Sequence, residues 1–198
     1  MNLICIKGVE NRIRPAVKED AKKLSELMFM IWHDMELPLV VQNDKETVLR
    51  LLEQASVESE YRNHYKHSQV YEVDGEVAGF LNCYSGTDEK QLEENWYNIA
   101  FKDSFKLEGT PLPEHEADNG DLYIDSVAVF SEYRGRGIAS KLIEDAIERA
   151  KERGFKQVSL NCEFDNEGAM KLYEKLGFKS SYDRKLSGHD YKYMIKHL

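Results

Sequence analysis

Leu122-Tyr123-Ile124-Asp125-Ser126-Val127-Ala128-Val129-Phe130, followed closely by Tyr133-Arg134-Gly135-Arg136-Gly137-Ile138-Ala139, decides the fold. The first run is rich in β-formers and reads as a strand. Beyond the loop, Ala139, Leu142, Ile143, Ala146, Ile147 and Ala150 recur at helical spacing, and Gly154 ends that helix. A strand therefore enters a helix through a pair of glycines. The first N–H groups of a helix lack internal partners, and the helix dipole adds positive potential there. Glycine lets the backbone approach a ligand closely. Such a loop can wrap a diphosphate, with Arg134, Arg136 and Lys141 adding charge. It reads equally well as a tight turn with solvated arginines.

Spacing excludes two commoner phosphate loops. No Gly-x-x-x-x-Gly-Lys-Ser/Thr run exists in the chain. The dinucleotide fingerprint fails because its third small position is Ser140, and because the unit comes late, after a hairpin.

Downstream, Gln157 to Cys162 reads as a strand and Asn166 to Leu176 as a short helix, with Ala169, Leu172, Tyr173 and Leu176 on one stripe and Gly177 at its end. Phe178 onward suggests two last strands around Ser187-Gly188, the second from Tyr191 to Lys196. Upstream, Gln69 to Val73 and Glu76 to Tyr84 flank Asp74-Gly75, a strong hairpin signal. Ile13-Arg14-Pro15-Ala16 reads as an edge strand, because proline cannot donate to a central ladder. Asp20 and Asp44 are expected to cap two helices, carrying Ala21, Leu24, Leu27, Met28 and Ile31, then Val48, Leu51, Leu52 and Ala55. Pro38 punctuates between them.

Ser85 to Gly120 is less regular, with a helix expected within Gln91 to Phe105 and a loop over Gly109 to Pro113. It is acidic: Asp88, Glu89, Glu93, Glu94, Asp103, Glu108, Glu114, Glu116 and Asp118 stand against Lys90, Lys102 and Lys106. A segment this long is either functional or a solvated surface insertion.

The 198 residues fit one domain spanning 1–198, with an insertion at about 85–120. A net charge of −9 argues against nucleic-acid binding and against a polybasic membrane surface. No stretch approaches the roughly 20 apolar residues that cross a bilayer. Cys5, Cys83 and Cys162 lie far apart and form no framework, so a reducing cytoplasm is expected. The start, Met1-Asn2-Leu3-Ile4-Cys5-Ile6, lacks the features of a signal peptide. His33, His64, His67, His115, His189 and His197 show no metal-ligand spacing.

Arg134-x-x-Gly137-x-Ala139 resembles the Arg/Gln-x-x-Gly-x-Gly/Ala signature of the GCN5-related N-acetyltransferase (GNAT) superfamily. Tyr123 to Val129 is similar to the strand that precedes the loop in that family. Asn166-x-x-Ala169-x-x-Leu172-Tyr173-x-x-x-Gly177-Phe178 resembles its second signature, and Ile13 to Ala16 with Asp20-Ala21 its opening. The resemblance covers nearly the whole chain from about Asn11, and only the acidic insertion departs from the compact pattern.

The resemblance implies an α+β fold, an α/β/α sandwich with a mixed, mostly antiparallel sheet of six to seven strands flanked by helices. It implies acetyl transfer from acetyl-CoA, as co-substrate, to a primary amine of a small molecule or peptide, without a metal. That reaction needs cofactor anchoring, a neutral nucleophile, a stabilised oxyanion and a proton for the departing thiolate. By resemblance, the N–H groups of Gly135, Arg136, Gly137, Ile138 and Ala139, with Arg134 and Ser140, take the CoA diphosphate. The backbone of Val127, Ala128 and Val129 would pair with the pantetheine amides and offer an oxyanion donor. Tyr173 reads as a core tyrosine from its apolar stripe alone, and the resemblance makes it instead the proton-donor candidate. Asn166 is read as a cofactor-binding residue or simply as a helix cap.

The base is less determined. Asp125 alternates with Val127 and Val129 and would share their face of the strand, turned to the site. Glu163 is the second candidate. In some relatives a Glu two residues earlier does this work, where this chain has Asn161, which takes no proton. A water relay or an already neutral amine would serve instead. Trp32, Tyr61, Tyr65, Trp96 and Tyr97 line either an acceptor pocket or the core. The acidic insertion suggests a cationic acceptor, and a homodimer stays open. The rival reading is a CoA-binding sensor or interaction module without turnover; its marks would be loss of the glycine loop or of the proton donor, and both are present.

Overall fold

A computed structural model describes residues 11–198. The readings made on Met1 to Gly8, Cys5 among them, lie outside the described residues.

Strands β1 (Asn11–Pro15), β2 (Ser68–Val73), β3 (Glu76–Ser85), β4 (Leu122–Val129), β5 (Gln157–Glu163), β6 (Lys179–Leu186) and β7 (His189–His197) form one sheet in the order β1-β2-β3-β4-β5-β7-β6. β4 and β5 are parallel and every other neighbouring pair is antiparallel. Pro15 lies on an edge strand, where its missing N–H costs nothing. The β2–β3 hairpin turns on Asp74 and Gly75, both with positive φ (54° and 88°), as a tight hairpin requires. Ser187 and Gly188 repeat the device (48° and 87°) between β6 and β7, and β7 begins at His189, two residues earlier than the sequence suggests.

Helices cover both faces of the sheet. α1 (Ala21–Asp34), the short α2 (Pro38–Val41) and α3 (Lys45–Ala55) lie on one side. Leu27, Trp32, Val48, Leu51 and Leu52, each at most 1% exposed, pack there against Val70 and Phe80 of the sheet. Pro38 starts α2 rather than ending α1. Asp44 caps α3, accepting from the Thr47 N–H at 2.9 Å. Asp20 precedes α1 but does not cap it: its carboxylate takes the Val17 N–H (2.9 Å) and the Arg14 guanidinium (2.7 and 3.0 Å), tying the helix entry to β1.

On the other face, α5 (Ile138–Glu152) buries Leu142, Ile143, Ala146, Ile147 and Ala150 against Leu81, Leu122, Ile124, Val158 and Leu160. α6 (Glu167–Lys175) joins that cluster through Tyr173.

The acidic insertion is not a solvated excursion. It holds α4 (Glu89–Glu94) and a 3-10 turn (Asn95–Asn98), then runs without regular structure to β4. Trp96, Ile99 and Leu112 are buried in the first core, with Phe101 and Phe105 against it. Glu89, Glu93 and Glu116 are buried as well. Among the described residues no helix is long and apolar enough to cross a membrane.

Candidate active site

β4 and β5 pair only from Leu122–Val158 to Ile124–Leu160. Beyond that they part, and the β5-facing edge of β4 carries no ladder from Asp125 to Val129. A cavity of about 560 Å³ occupies the gap. Val127, Ala128 and Val129 form one wall, and the loop with the start of α5 forms another.

In that loop Gly135 and Gly137 have left-handed backbones (φ 75° and 73°). Gly137 is the N-cap of α5; no side chain caps the helix and no acidic residue lies in its first turn. The first intrahelical bond runs from the Lys141 N–H to Gly137 O (3.1 Å), so Ile138, Ala139 and Ser140 precede the ladder and line the cavity. A Cβ on either glycine would meet nothing within 4 Å, so it would project into the open approach. Arg134 also lines the cavity, its Nε donating to Val129 O at 3.1 Å. Arg136 lies over the Tyr133 ring and donates to Glu132 O (3.0 Å), and Lys141 donates to the Tyr71 hydroxyl (3.1 Å). These two cations stand beside the cavity rather than in its wall.

Across the gap, Tyr173 is 8% exposed and lines the cavity with Cys162 and Asn166. Burial pushes the phenol well above its ordinary pKa, so it keeps its proton at neutral pH. Asn166 caps α6 by accepting from the Ala169 N–H at 3.0 Å.

Asp125 is not where strict alternation would put it. The β3–β4 register shifts between Asn82 and Cys83, which face Ser126 and Ile124, so Asp125 is the extra residue of a bulge. Ile124, Val127 and Val129 consequently pack into the α5-side core, and the Asp125 side chain, 3% exposed, leaves their face yet still lines the cavity beside Glu116. Its Oδ1 accepts from Arg62 Nε (3.0 Å), Arg62 Nη2 (2.5 Å) and the Tyr84 hydroxyl (2.8 Å), and its Oδ2 from Ser126 Oγ (2.7 Å). Burial opposes its charge, but Arg62 and the two hydroxyls prevail and hold the carboxyl below the usual range. A carboxylate so saturated with donors is a poor proton acceptor. The geometry thus makes Asp125 an anchor for Arg62.

Arg62, fully buried, also meets Glu116 (3.1 Å) and Glu93 (3.5 Å). Glu116 comes from the insertion and lines the cavity. Its Oε2 accepts from the Tyr123 hydroxyl at 2.9 Å. Burial pushes the Glu116 carboxyl up to about 7; Arg62 opposes the rise and the Asp125 charge adds to it. Asn161 donates to Glu116 O and to the Tyr123 hydroxyl, both at 3.0 Å, while its buried Oδ1 has no partner among the described residues.

Glu163 reaches the cavity rim but pairs with His189 Nδ1 at 2.8 Å. Of the five aromatic residues offered for a pocket, Trp32 alone lines the cavity; Tyr61 and Trp96 are core, and Tyr97 is 67% exposed. No group of three or more His, Cys, Asp or Glu suited to a metal occurs among the described residues.

A family model described as the acetyltransferase (GNAT) family matches residues 27–178. The chain belongs to the GNAT acetyltransferase family. N-alpha-acetyltransferase 30 of Schizosaccharomyces pombe is 43% identical over 121 residues, which span 57% of this chain and 81% of that one. N-alpha-acetyltransferase MAK3 of Arabidopsis thaliana is 45% identical over 34% of this chain and 37% of its own length. The crystal structure of an N-acetyltransferase from Staphylococcus aureus Mu50 superposes with a TM-score of 0.86 at 40% identity, over 93% of this chain and 100% of that one.

The GNAT fold and an acetyl-CoA-dependent N-acetyltransferase activity follow from these likenesses. The walls of this GNAT cavity suit acetyl-CoA. Unladdered N–H groups and the Arg134 charge would complement a polyanion, and the bare edge of β4 has unpaired backbone groups that would complement an amide-bearing arm. Sequence reasoning missed Arg62, Glu116 and Tyr123. Arg62 sits in an aperiodic stretch, Tyr61-Arg62-Asn63-His64-Tyr65, and Glu116 in a run that reads as solvated. The one signal was the insertion's excess of carboxylates over cations.

Proposed function

We propose that this GNAT acetyltransferase acetylates a primary amine of a small molecule or a peptide by direct attack of the amine, and that the acceptor is cationic as it approaches. The parting of β4 and β5, with the glycine loop on one side and Tyr173 on the other, carries this reading. Bound acetyl-CoA supplies an activated acetyl thioester. Gly135, Gly137, Ile138, Ala139 and Ser140 hold its diphosphate through backbone N–H groups, with Arg134 adding charge and the Arg136 backbone completing the loop. The edge from Val127 to Val129 bonds its amide arm. Asn166, engaged as a cap, orders the start of α6. Tyr173 holds a proton at its hydroxyl for the departing sulfur. Trp32 and Leu112 exclude water at the acceptor side.

Glu116, Glu93 and Asp125 share the single guanidinium of Arg62, so the interior beyond the thioester end is negative on balance. That balance supports an acceptor arriving as an ammonium ion. The name of the fission yeast relative brings a peptide α-amine into consideration beside polyamines and lysine-like amines.

Thiol release measured with acetyl-CoA and a panel of cationic, neutral and anionic amines tests the reading. Turnover that favours the cationic amines is the expected result. Tight acetyl-CoA binding without thiol release for any amine would instead identify a binding module. Equal rates with anionic amines would remove the charge preference.

A further inference from the structure

The expected strand base is missing in this chain, and a carboxylate from elsewhere stands beside the vacancy. Asn161 occupies the β5 position and cannot take a proton. Its amide donates to the main chain of Glu116 at 3.0 Å, which places the Glu116 carboxylate next to it on the cavity wall. The Glu116 side chain is 8% exposed, enough to touch a ligand in the cavity and too little to be solvated.

One cation shared by three carboxylates divides unequally. Asp125 takes two hydrogen bonds from Arg62 and Glu116 takes one. Glu116 also faces the Asp125 charge and the Tyr123 hydroxyl of β4, Glu89 of α4 and Tyr84 of β3, and it shares Arg62 with Glu93. Tyr191 of β7 lies near as well. Burial, with the Asp125 and Glu89 charges, outweighs Arg62 and the Tyr123 hydroxyl and pushes the Glu116 carboxyl up to about 7, where it can take and release a proton near neutrality.

We propose that Glu116, supplied by the acidic insertion, accepts the proton of the incoming ammonium group and so frees the amine to attack. One N–H bond of the ammonium breaks with its electron pair left on nitrogen, and one O–H bond forms on Glu116. The proton leaves to solvent after the product departs. This rests on the acetyl-transfer reading of the cavity.

The test is kcat/KM against pH for the wild type, E116Q and E116D with a peptide α-amine acceptor, whose amine titrates near pH 8. Acetyl-CoA affinity is measured in parallel by calorimetry. E116Q should lower kcat at pH 7 by about 100-fold. It should leave acetyl-CoA affinity unchanged and lose the limb set by Glu116, so that the only remaining rise with pH is the one set by the free amine near pH 8. E116D should keep the limb at a reduced kcat. E116Q with the wild-type rate and profile overturns the proposal. If E116Q does not fold, E116D decides: a lowered kcat with the limb retained supports the assignment, and an unchanged kcat overturns it. Wild-type protein that binds acetyl-CoA but turns over no amine overturns the transfer reading and Glu116 with it. Wild-type turnover with an indifferent E116Q overturns Glu116 alone.

Discussion

Arg62 donates from both Nε (3.0 Å) and Nη2 (2.5 Å) to a single oxygen, Oδ1, of Asp125, joining the α3–β2 connection to the bulge of β4. The guanidinium is fully buried, so the pair draws on little solvent screening. Its removal would strand three carboxylates. Arg62→Met is expected to destabilise the fold by about 4 kcal/mol, read by urea denaturation. The sign with pH follows. Without the cation the carboxyls' folded pKa values rise, so the mutant is less penalised at low pH and more so as pH rises through them. A deficit equal at pH 5 and pH 8 would contradict this.

Gly137→Glu should lower acetyl-CoA affinity on the order of 100-fold or more, because a carboxylate enters the approach to a polyanion. The new Cβ meets no atom within 4 Å, so packing is spared and only the left-handed backbone is strained, at about 1 kcal/mol. Calorimetry with acetyl-CoA and a melting curve separate the two effects. Unchanged affinity would remove the loop from the cofactor site.

Tyr173→Phe should reduce kcat by on the order of 100-fold and leave acetyl-CoA affinity nearly unchanged. The ring's edge contact with Phe178, centroids 6.1 Å apart, survives the substitution. Steady-state kinetics decide, and a fully active variant would return Tyr173 to the core.

Asp20→Asn tests the joint between β1 and α1. Burial raises the Asp20 carboxyl pKa, but Arg14 and the Val17 N–H overcome it and hold it below the ordinary value. A depressed folded pKa contributes stability above the unfolded pKa and loses it as pH falls through the folded one. Wild type should therefore exceed the variant by about 2 kcal/mol at pH 7. That margin should shrink as pH drops below about 4. Denaturation at several pH values reads it directly.

The hairpin, the glycine loop and the amphipathic helices were legible in the sequence because local rules govern them. Asp74-Gly75 needs positive φ, and Leu142, Ile143, Ala146 and Ile147 need one helix face. Asp125 does line the cavity, but not on the face of Val127 and Val129, because alternation assumes an unbroken ladder and a one-residue bulge leaves no mark in sequence. Glu116 and Arg62 escaped for another reason. Their pairing spans 54 residues, and each lies in a stretch without periodicity. Charge alone marks such segments as solvated, and only tertiary contact makes a buried ion pair of them.

The parting of β4 and β5 also gives the molecule an internal sheet edge. An exposed edge invites other strands and aggregation. This one is walled by the loop, the start of α5 and Tyr173 of α6, so only something as slender as a single extended chain can lie along it. The fold thus keeps one strand's worth of hydrogen bonding in reserve for an extended ligand. The protein should melt higher with acetyl-CoA present than without it, by the ordinary linkage of binding to folding.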